Sequence, residues 1–458
     1  MLGLDKEVRQ LADQGSAERL KGLKRIIPCR LILASLNACG GNRCCRRLSK
    51  TFVVWFVVAL GLFASDSYRQ VFRWLRPYRA KDTDTPNSIP QRSTLCEARR
   101  RLGVAPLRWL YEHVVKLLAT ITTVDAFYAG LRLMALDGFV LNVADTPSNE
   151  RIFGRPNGGR SAGAFPQVRV LALCEVGTHV LWKCLLKPIR QAEIVMAKTL
   201  LRHLDPDMLL LWDRGFLSYD NVQDVLARRA HLLARIKKNL VFVKLKRFRD
   251  GSYLSKLYRS AKERRHDRNG ITVRIIEYTI SDKGRPGCGT PHRLLTTLLD
   301  AGLHPAKRLI ELYHERWEEE LAIDELKTHQ GRPVLRSQTP AGVVQEVYGL
   351  LLAHFVVRRL MFEAATSSSL PPRRLSFTGT LKILRCRLPT CPQSPRTVRR
   401  WYQDVIAEIA EDILPPRRNR INPRVIKCKM SKWHKKRAEH KHYPQPKATF
   451  HDGITVLR

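Results

Sequence analysis

Apolar positions over the first 125 residues recur at helical spacing. Phe52 to Ala64 is an apolar run of 13 residues, which predicts a core helix. It is too short to cross a bilayer, which takes about 20 residues. Asp66 is placed to cap a second helix, Asp66-Ser-Tyr-Arg-Gln-Val-Phe-Arg-Trp-Leu. Pro86 to Arg92 reads as a loop. Ser93-Thr94 opens a basic helix that Gly103 closes. An amphipathic helix follows from Pro106 to about Thr120. Short helices with tight turns, one of them Arg-rich, fit a helix-turn-helix-like module. The same pattern fits a helical packing domain with a solvated Arg face.

From about residue 130 the period shortens to that of strands. Leu131-Arg-Leu-Met-Ala-Leu leads into Asp137-Gly138. Gln167–Cys174 and His179–Leu186 pair as a hairpin across Val176-Gly177-Thr178. Ala192–Leu204 is helical, Met208–Trp212 is a strand ending at Asp213, 218–229 is helical, and His231–Ile236 is a strand. Three strands, helix, strand, helix, strand is the order of an RNase H-like α/β core. Strand signals at Val241–Phe248, Ile271–Ile280 and Leu294–Leu299 predict a β-rich insertion at about 238–300, ahead of a helix at about 306–330. Leu350–Val357 predicts an apolar helix on the sheet. The division expected is an all-helical N-terminal, DNA-binding domain (1–125), a catalytic core (130–360) and a basic C-terminal tail (370–458).

Charge narrows the partners. The 458 residues carry 81 Lys plus Arg against 41 Asp plus Glu, a net +40. That excess points to a polyanion, while a hydrophobic fraction of 44% argues for a folded core. From Pro415 to Lys447 there are 12 Lys plus Arg and one acid, Glu439. Such a run cannot fold alone by apolar burial and suits DNA contact. Within it Trp433 and Tyr443 are candidates for stacking on bases. The 11 cysteines include no Cys-x2-Cys pair, and Cys39, Cys44 and Cys45 lack spaced His partners, so a zinc site is not indicated. They read as reduced cytoplasmic thiols. The first residues, Met-Leu-Gly-Leu-Asp-Lys-Glu-Val, do not form a signal peptide.

Candidate chemistry concentrates in Glu-Leu-Tyr-His-Glu-Arg-Trp-Glu-Glu-Glu-Leu-Ala-Ile-Asp-Glu-Leu-Lys. On a continuous helix at about 100° per residue, Tyr313, Arg316, Glu320 and Lys327 fall within roughly a 60° arc. A carboxylate suits a divalent metal, and cations beside it suit phosphate. The alternative is a solvated helix laced with surface ion pairs. Glu318, about 160° from Glu320, is expected to be a neutral position. Asp137 and Asp213 each follow a short apolar strand. Two such aspartates and a helical glutamate are what a two-metal phosphoryl-transfer site requires. Asp145 and Asp324 compete for the first and third positions.

With these residues the chain resembles DDE transposases of the insertion-sequence-four family. That family's signature of Tyr, two residues, Arg, three residues, Glu, six residues, Lys is met at Tyr313, Arg316, Glu320 and Lys327. Leu-Thr-Thr-Leu-Leu-Asp at 295–300, Asp-Thr-Pro-Ser-Asn at 145–149 and Asp-Arg-Gly-Phe at 213–216 extend the match, which covers roughly 20–360. One departure is Asp137-Gly138-Phe139, where the family usually has Asp-Gly-Thr. The resemblance implies Asp137, Asp213 and Glu320 as catalytic ligands of two Mg²⁺ (or Mn²⁺), with Tyr313, Arg316 and Lys327 at the DNA backbone. It further implies double-stranded transposon-end and target DNA, a homodimer in the synaptic complex, a hairpin intermediate, and a bacterial, nucleoid-associated protein without membrane contact. A metal-dependent nuclease without strand transfer and an inactive DNA-binding derivative are the alternatives.

Overall fold

A computed structural model describes residues 18–40, 48–75, 89–156, 163–237, 239–285, 287–392, 394–415, 425–426, 434–435, 437–442 and 445–457. Cys44, Cys45, Trp433, Tyr443 and most of the basic run at 415–447 lie outside the described residues. The chain packs as two compact units. The first comprises 1–130, 137–196 and 318–414, and the second comprises 131–136, 197–317 and 415–458. We number the principal strands β1 (Leu131–Val143), β2 (Gln167–Glu175), β3 (Val180–Pro188), β4 (Met208–Trp212), β5 (His231–Arg235), β6 (Tyr253–Leu257), β7 (Ile271–Ile280), β8 (His292–Thr296) and β9 (Ile454–Val456).

The first unit is built around the 28-residue helix Pro340–Ser367, capped at its N-terminus by the Thr339 side chain. By length and composition this helix could cross a membrane, but 78% of its most apolar window is buried, so it is the core of the unit. The expected core helix, Lys50–Leu62, crosses it. The crossing is close because both helices are glycine there. A Cβ on Gly61 would stand 2.4 Å from the Gly349 carbonyl oxygen, and one on Gly349 would stand 2.5 Å from that of Val57. Trp55, Phe56, Val356 and Val357 fill the surrounding core.

Around this pair stand helices Cys29–Ala38, Tyr68–Leu75, Arg92–Leu102 and Ala105–Val114, which form the expected helical N-terminal region. Ser67, not Asp66, caps the second of them: its Oγ accepts from the Gln70 amide at 3.2 Å. Asp66 accepts instead from Trp74 Nε1 at 2.8 Å. The last helix stops at Val114, and the buried Glu175 carboxylate takes the Leu118 and Ala119 amides at 2.9 and 3.0 Å. That capture ends the helix short of Thr120. Also in this unit, β2 and β3 form the expected antiparallel hairpin.

The second unit has the parallel pairs β1–β4 and β4–β5, then β8, β7 and β6 in antiparallel succession. Strands expected in the 238–300 segment thus continue one sheet outward from β5. The strand signal at Val241–Phe248 contracts to Lys246–Arg247, paired with β6. β9 pairs with β7 at Tyr278–Ile280, beyond the stretch that β6 covers. Residues past 370 are therefore not uniformly tail-like. Helices Phe377–Arg387 and Pro395–Glu411 belong to the first unit, and β9 completes a strand edge in the second. The fold is mixed α/β with the strand and helix order expected from the sequence.

Candidate active site

β1 was expected to end at Asp137. It runs on to Val143, because Phe139, Leu141 and Val143 continue the buried alternation. Asp137 therefore sits within a strand, half-buried, with its Oδ1 accepting the Gly138 amide at 2.8 Å. Gly138 does not mark a turn. A Cβ there would meet the Glu193 carboxyl carbon at 2.6 Å, and Glu193 is ion-paired with Arg169. Asp213 lies where expected, directly after β4, in a turn closed by the Phe216 amide on the Asp213 carbonyl at 3.1 Å.

The pairing of β1 with β4 puts Leu136 in register with Trp212. From each of those two partners the chain continues into an aspartate, Asp137 or Asp213. Of the competing acids, Asp145 is bound to Arg155. Asp324 accepts from the Thr328 hydroxyl and faces His329 at 3.3 Å.

The expected continuous helix at 306–330 is three segments. Ala306–His314 is α-helical, residues 315–316 form a turn, Trp317–Asp324 is α-helical, and Glu325–Gln330 is π-helical. Tyr313 belongs to the first segment, Arg316 to the turn, Glu320 to the second helix and Lys327 to the π-helical turn. The phase relation that joined the four on one stripe does not hold. Its failure has a packing cause. Ala306, Leu309 and Ile310 are buried before the turn, and Glu318, Ala322 and Glu325 after it. On one unbroken helix those two buried faces would lie roughly 120–160° apart.

Tyr313 is held in the second unit. Its hydroxyl stands 3.3 Å from the Trp212 carbonyl oxygen, the residue before Asp213. Burial, together with the nearby Asp213 carboxylate, pushes the phenol well above its usual range despite Arg316 and Arg235. The helix that carries Tyr313 is fixed at its start by Asp250, which accepts the Ala306 amide at 2.9 Å. Asp250 in turn pairs with the fully buried Arg274, whose Nε donates to Ser252 at 2.8 Å and Nη1 to the His304 carbonyl at 2.6 Å. Burial opposes ionisation of Asp250, but hydrogen bonds from Ser252 and Ala306 overcome it and hold the carboxyl low. The Arg316 guanidinium lies 5.7 Å from the centre of the Trp317 ring.

In the first unit Glu320 is half-buried and Lys327 exposed. Glu318, expected to be a neutral surface position, is 3% exposed. Its Oε2 stands 2.9 Å from His179 Nε2, and its Oε1 stands 3.5 Å from Arg373. Glu325 is also buried, held by His179, His354 and Arg358. Burial alone would raise its carboxyl, yet Arg358 and His179 carry it well below the usual range. Sequence reasoning missed this network, because a run of acids hides which of them face inward. Among the described residues, no group of three or more His, Cys, Asp or Glu is gathered closely enough to hold a metal ion.

Comparison with known proteins identifies the family. Residues 128–356 match the family described as Transposase DDE domain, and residues 17–112 match Insertion element 4 transposase N-terminal. The chain is 28% identical over 393 residues to Transposase InsG for insertion sequence element IS4 of Escherichia coli (strain K12), covering 83% of this chain and 86% of that protein. A solved piggyBac transposase synaptic complex with hairpin DNA aligns over 87% of this chain and 86% of that one, at 12% identity and a TM-score of 0.41. That likeness is too low to bear on the assignment. The two family matches, which between them span both the helical N-terminal region and the strand-rich segment with its acids, place the chain in the DDE transposase family, of the insertion-sequence-four type.

Proposed function

We propose that this transposase binds the ends of an insertion sequence and carries out metal-dependent DNA cleavage and strand transfer, with Asp137, Asp213 and Glu320 as the catalytic carboxylates. The register of Leu136 with Trp212 carries the assignment, since it brings the chain into Asp137 and Asp213 from paired positions on neighbouring strands. The donor set fits hard divalent cations, because all three groups offer carboxylate oxygens. Asp145 and Asp324, the alternatives, are engaged by Arg155 and by Thr328 and His329. Asp137, Asp213 and Glu320 would hold two Mg²⁺ (or Mn²⁺) ions, which would activate the attacking oxygen and stabilise the leaving one.

The protein's own groups do the rest. Asp137 lies within β1 and Asp213 just after β4, and each offers carboxylate oxygens. Glu320 adds a third carboxylate from a helix. Arg316 offers a planar fork to phosphate oxygens and Lys327 a point charge. Tyr313, by donating to the Trp212 carbonyl, steadies the strand end from which Asp213 emerges. In the first step water attacks a phosphodiester at the transposon end and the 3′ oxygen leaves. In the second, that 3′-OH attacks a phosphodiester of target DNA, joining to its phosphorus while the target strand's 3′ oxygen leaves as a free 3′-OH. The helical region at 1–125 and the basic segment beyond 415 supply DNA contacts, with two chains in the synaptic complex, in the bacterial cytoplasm at the nucleoid.

The test is an end-cleavage and strand-transfer assay on DNA carrying the inverted repeats that flank the gene. Wild-type protein should cut and join with Mg²⁺ or Mn²⁺ and stop with EDTA. Cutting without joining would reduce the protein to a nuclease, and binding without cutting would reduce it to a DNA-binding derivative.

A further inference from the structure

Two buried acids bracket Glu320 on the same run of helix, Glu318 two residues before it and Glu325 five after. His179 joins them. One ring nitrogen stands 2.9 Å from Glu318 Oε2 and the other 3.0 Å from Glu325 Oε1. The ring thus bridges the two carboxylates, and Arg358 Nη2 also faces its Nδ1. His179 occupies the turn of the β2–β3 hairpin at a φ of 58°, a left-handed conformation that a residue with a side chain adopts at a cost. Arg358, on the core helix, then grips Glu325 through both Nε, at 2.8 Å, and Nη2. One turn earlier on that helix, His354 Nε2 stands 3.3 Å from the same carboxylate. Arg373 reaches Glu318 at 3.5 Å.

A buried charge network of this kind adds little net stability over an apolar packing of the same volume. What it does add is direction, since each hydrogen bond fixes one side-chain azimuth. Glu318 points roughly 160° away from Glu320 around the helix. Pinning Glu318 inward therefore sets the opposite face, and Glu320 with it. The second pin falls where the helix widens into its π-helical turn at Glu325, a departure from α geometry often met beside functional groups.

We infer that His179, with Glu318, Glu325 and Arg358, is a positioning clamp that aims the Glu320 carboxylate at the metal. This rests on the assignment of Glu320 as a ligand. Groups that orient ligands in this way typically contribute 10- to 100-fold to metal affinity or activity.

The experiment measures Mn²⁺ binding to the full-length protein by calorimetry, alongside end-DNA binding, thermal unfolding and the Mn²⁺ dependence of cleavage. His179→Leu and Glu318→Leu should weaken Mn²⁺ binding by about 10- to 100-fold, while end-DNA binding stays unchanged and unfolding stays cooperative. Glu318→Gln, which keeps an oxygen for His179, should restore binding to within about threefold of wild type. Wild-type Mn²⁺ affinity in folded His179→Leu and Glu318→Leu overturns the clamp. If the leucine variants do not fold, His179→Gln decides, because it keeps one of the two hydrogen bonds. A loss of more than about threefold then supports the clamp and a smaller one overturns it. Glu320→Gln separates the two levels: wild-type Mn²⁺ binding there removes the ligand assignment itself.

Discussion

The Tyr313 hydroxyl donates to the backbone carbonyl of Trp212 at 3.3 Å, so a residue of the family signature is tied to the strand that delivers Asp213. Tyr313→Phe keeps the buried ring and removes this bond alone. It should cost about 1 kcal/mol of folding free energy and lower cleavage at saturating DNA several-fold. Tyr313→Ala should be far worse on both counts. Denaturant unfolding and single-turnover cleavage measure the two effects. A Phe variant that cuts normally but binds DNA weakly would mean that the hydroxyl serves the DNA backbone.

Glu320→Gln should abolish cutting and leave end binding largely intact, and Asp137→Asn and Asp213→Asn should do the same. Gel-shift and cleavage assays on one end fragment report both properties. Retained cutting by any of the three sinks that residue's assignment.

Arg316→Ala and Lys327→Ala should fold normally and lose strand cleavage or transfer, and Arg316→Lys should also be impaired, because an ammonium cannot make the bidentate fork to phosphate. Glu318 cannot serve as the neutral control, since it is buried against His179 and Arg373. Removing one partner of such a group costs about 3–5 kcal/mol. Arg308, exposed and paired with Glu311 at 2.8 Å, is the better comparison. Its change to Ala should cost under about 1 kcal/mol and spare activity. Rates on pre-formed protein–end complexes isolate chemistry from binding.

With a net charge of +40, DNA affinity should fall steeply with salt. Changing Lys427, Lys429 and Lys432 to Gln should flatten the slope of log affinity against log salt by about 0.9 for each phosphate no longer neutralised, equally for end and random DNA. Deleting 415–458 is a poorer test. It removes β9 from β7 and the stacking of Phe450 on His314, whose ring centres are 4.2 Å apart. That truncation should therefore lower the unfolding midpoint as well as the affinity, which a thermal melt would show.

Acid should destabilise the first unit in two stages. Burial and the charges of Arg358 and His179 hold His354 below its ordinary 6.5, despite Glu325. Burial opposes ionisation of Glu325, but Arg358 and His179 overcome it and hold the carboxyl well below 4.5. In both cases the folded protein binds fewer protons than the unfolded chain, so each contribution is complete above the ordinary value and lost as pH falls. Unfolding midpoints followed from about pH 8 to about pH 4 should drop first below 6.5 and further below 4.5. Glu325→Gln should remove the second stage.

Much of the architecture is legible from the chain itself. Phe52–Ala64 and the β2–β3 hairpin follow from apolar periodicity, and the continuation of β1 through Phe139, Leu141 and Val143 was equally present. Asp137-Gly138 hid that continuation by mimicking a turn, when the glycine in fact makes room for Glu193. The broken helix was less visible. No Gly or Pro interrupts 306–330, and the sign of a turn is a shift in which face is buried. After the turn that face is made of Glu318, Glu319 and Glu325 as well as Ala322 and Leu326, so a hydrophobic pattern cannot register it. Inward-facing acids show only when their partners are found, and His179 and Arg358 lie far away in sequence.

The pairing of β9 with Tyr278–Ile280 has a bearing on synthesis. Residues 454–456 emerge long after Ile280, a delay on the order of 10 s at ribosomal rates. During that interval the edge of β7 that β9 covers at Tyr278–Ile280 lacks its partner strand. A growing chain, or one cut short by a frameshift, therefore carries an open edge able to recruit foreign strands. Closure of this edge of the sheet therefore waits on a segment more than 170 residues away in sequence.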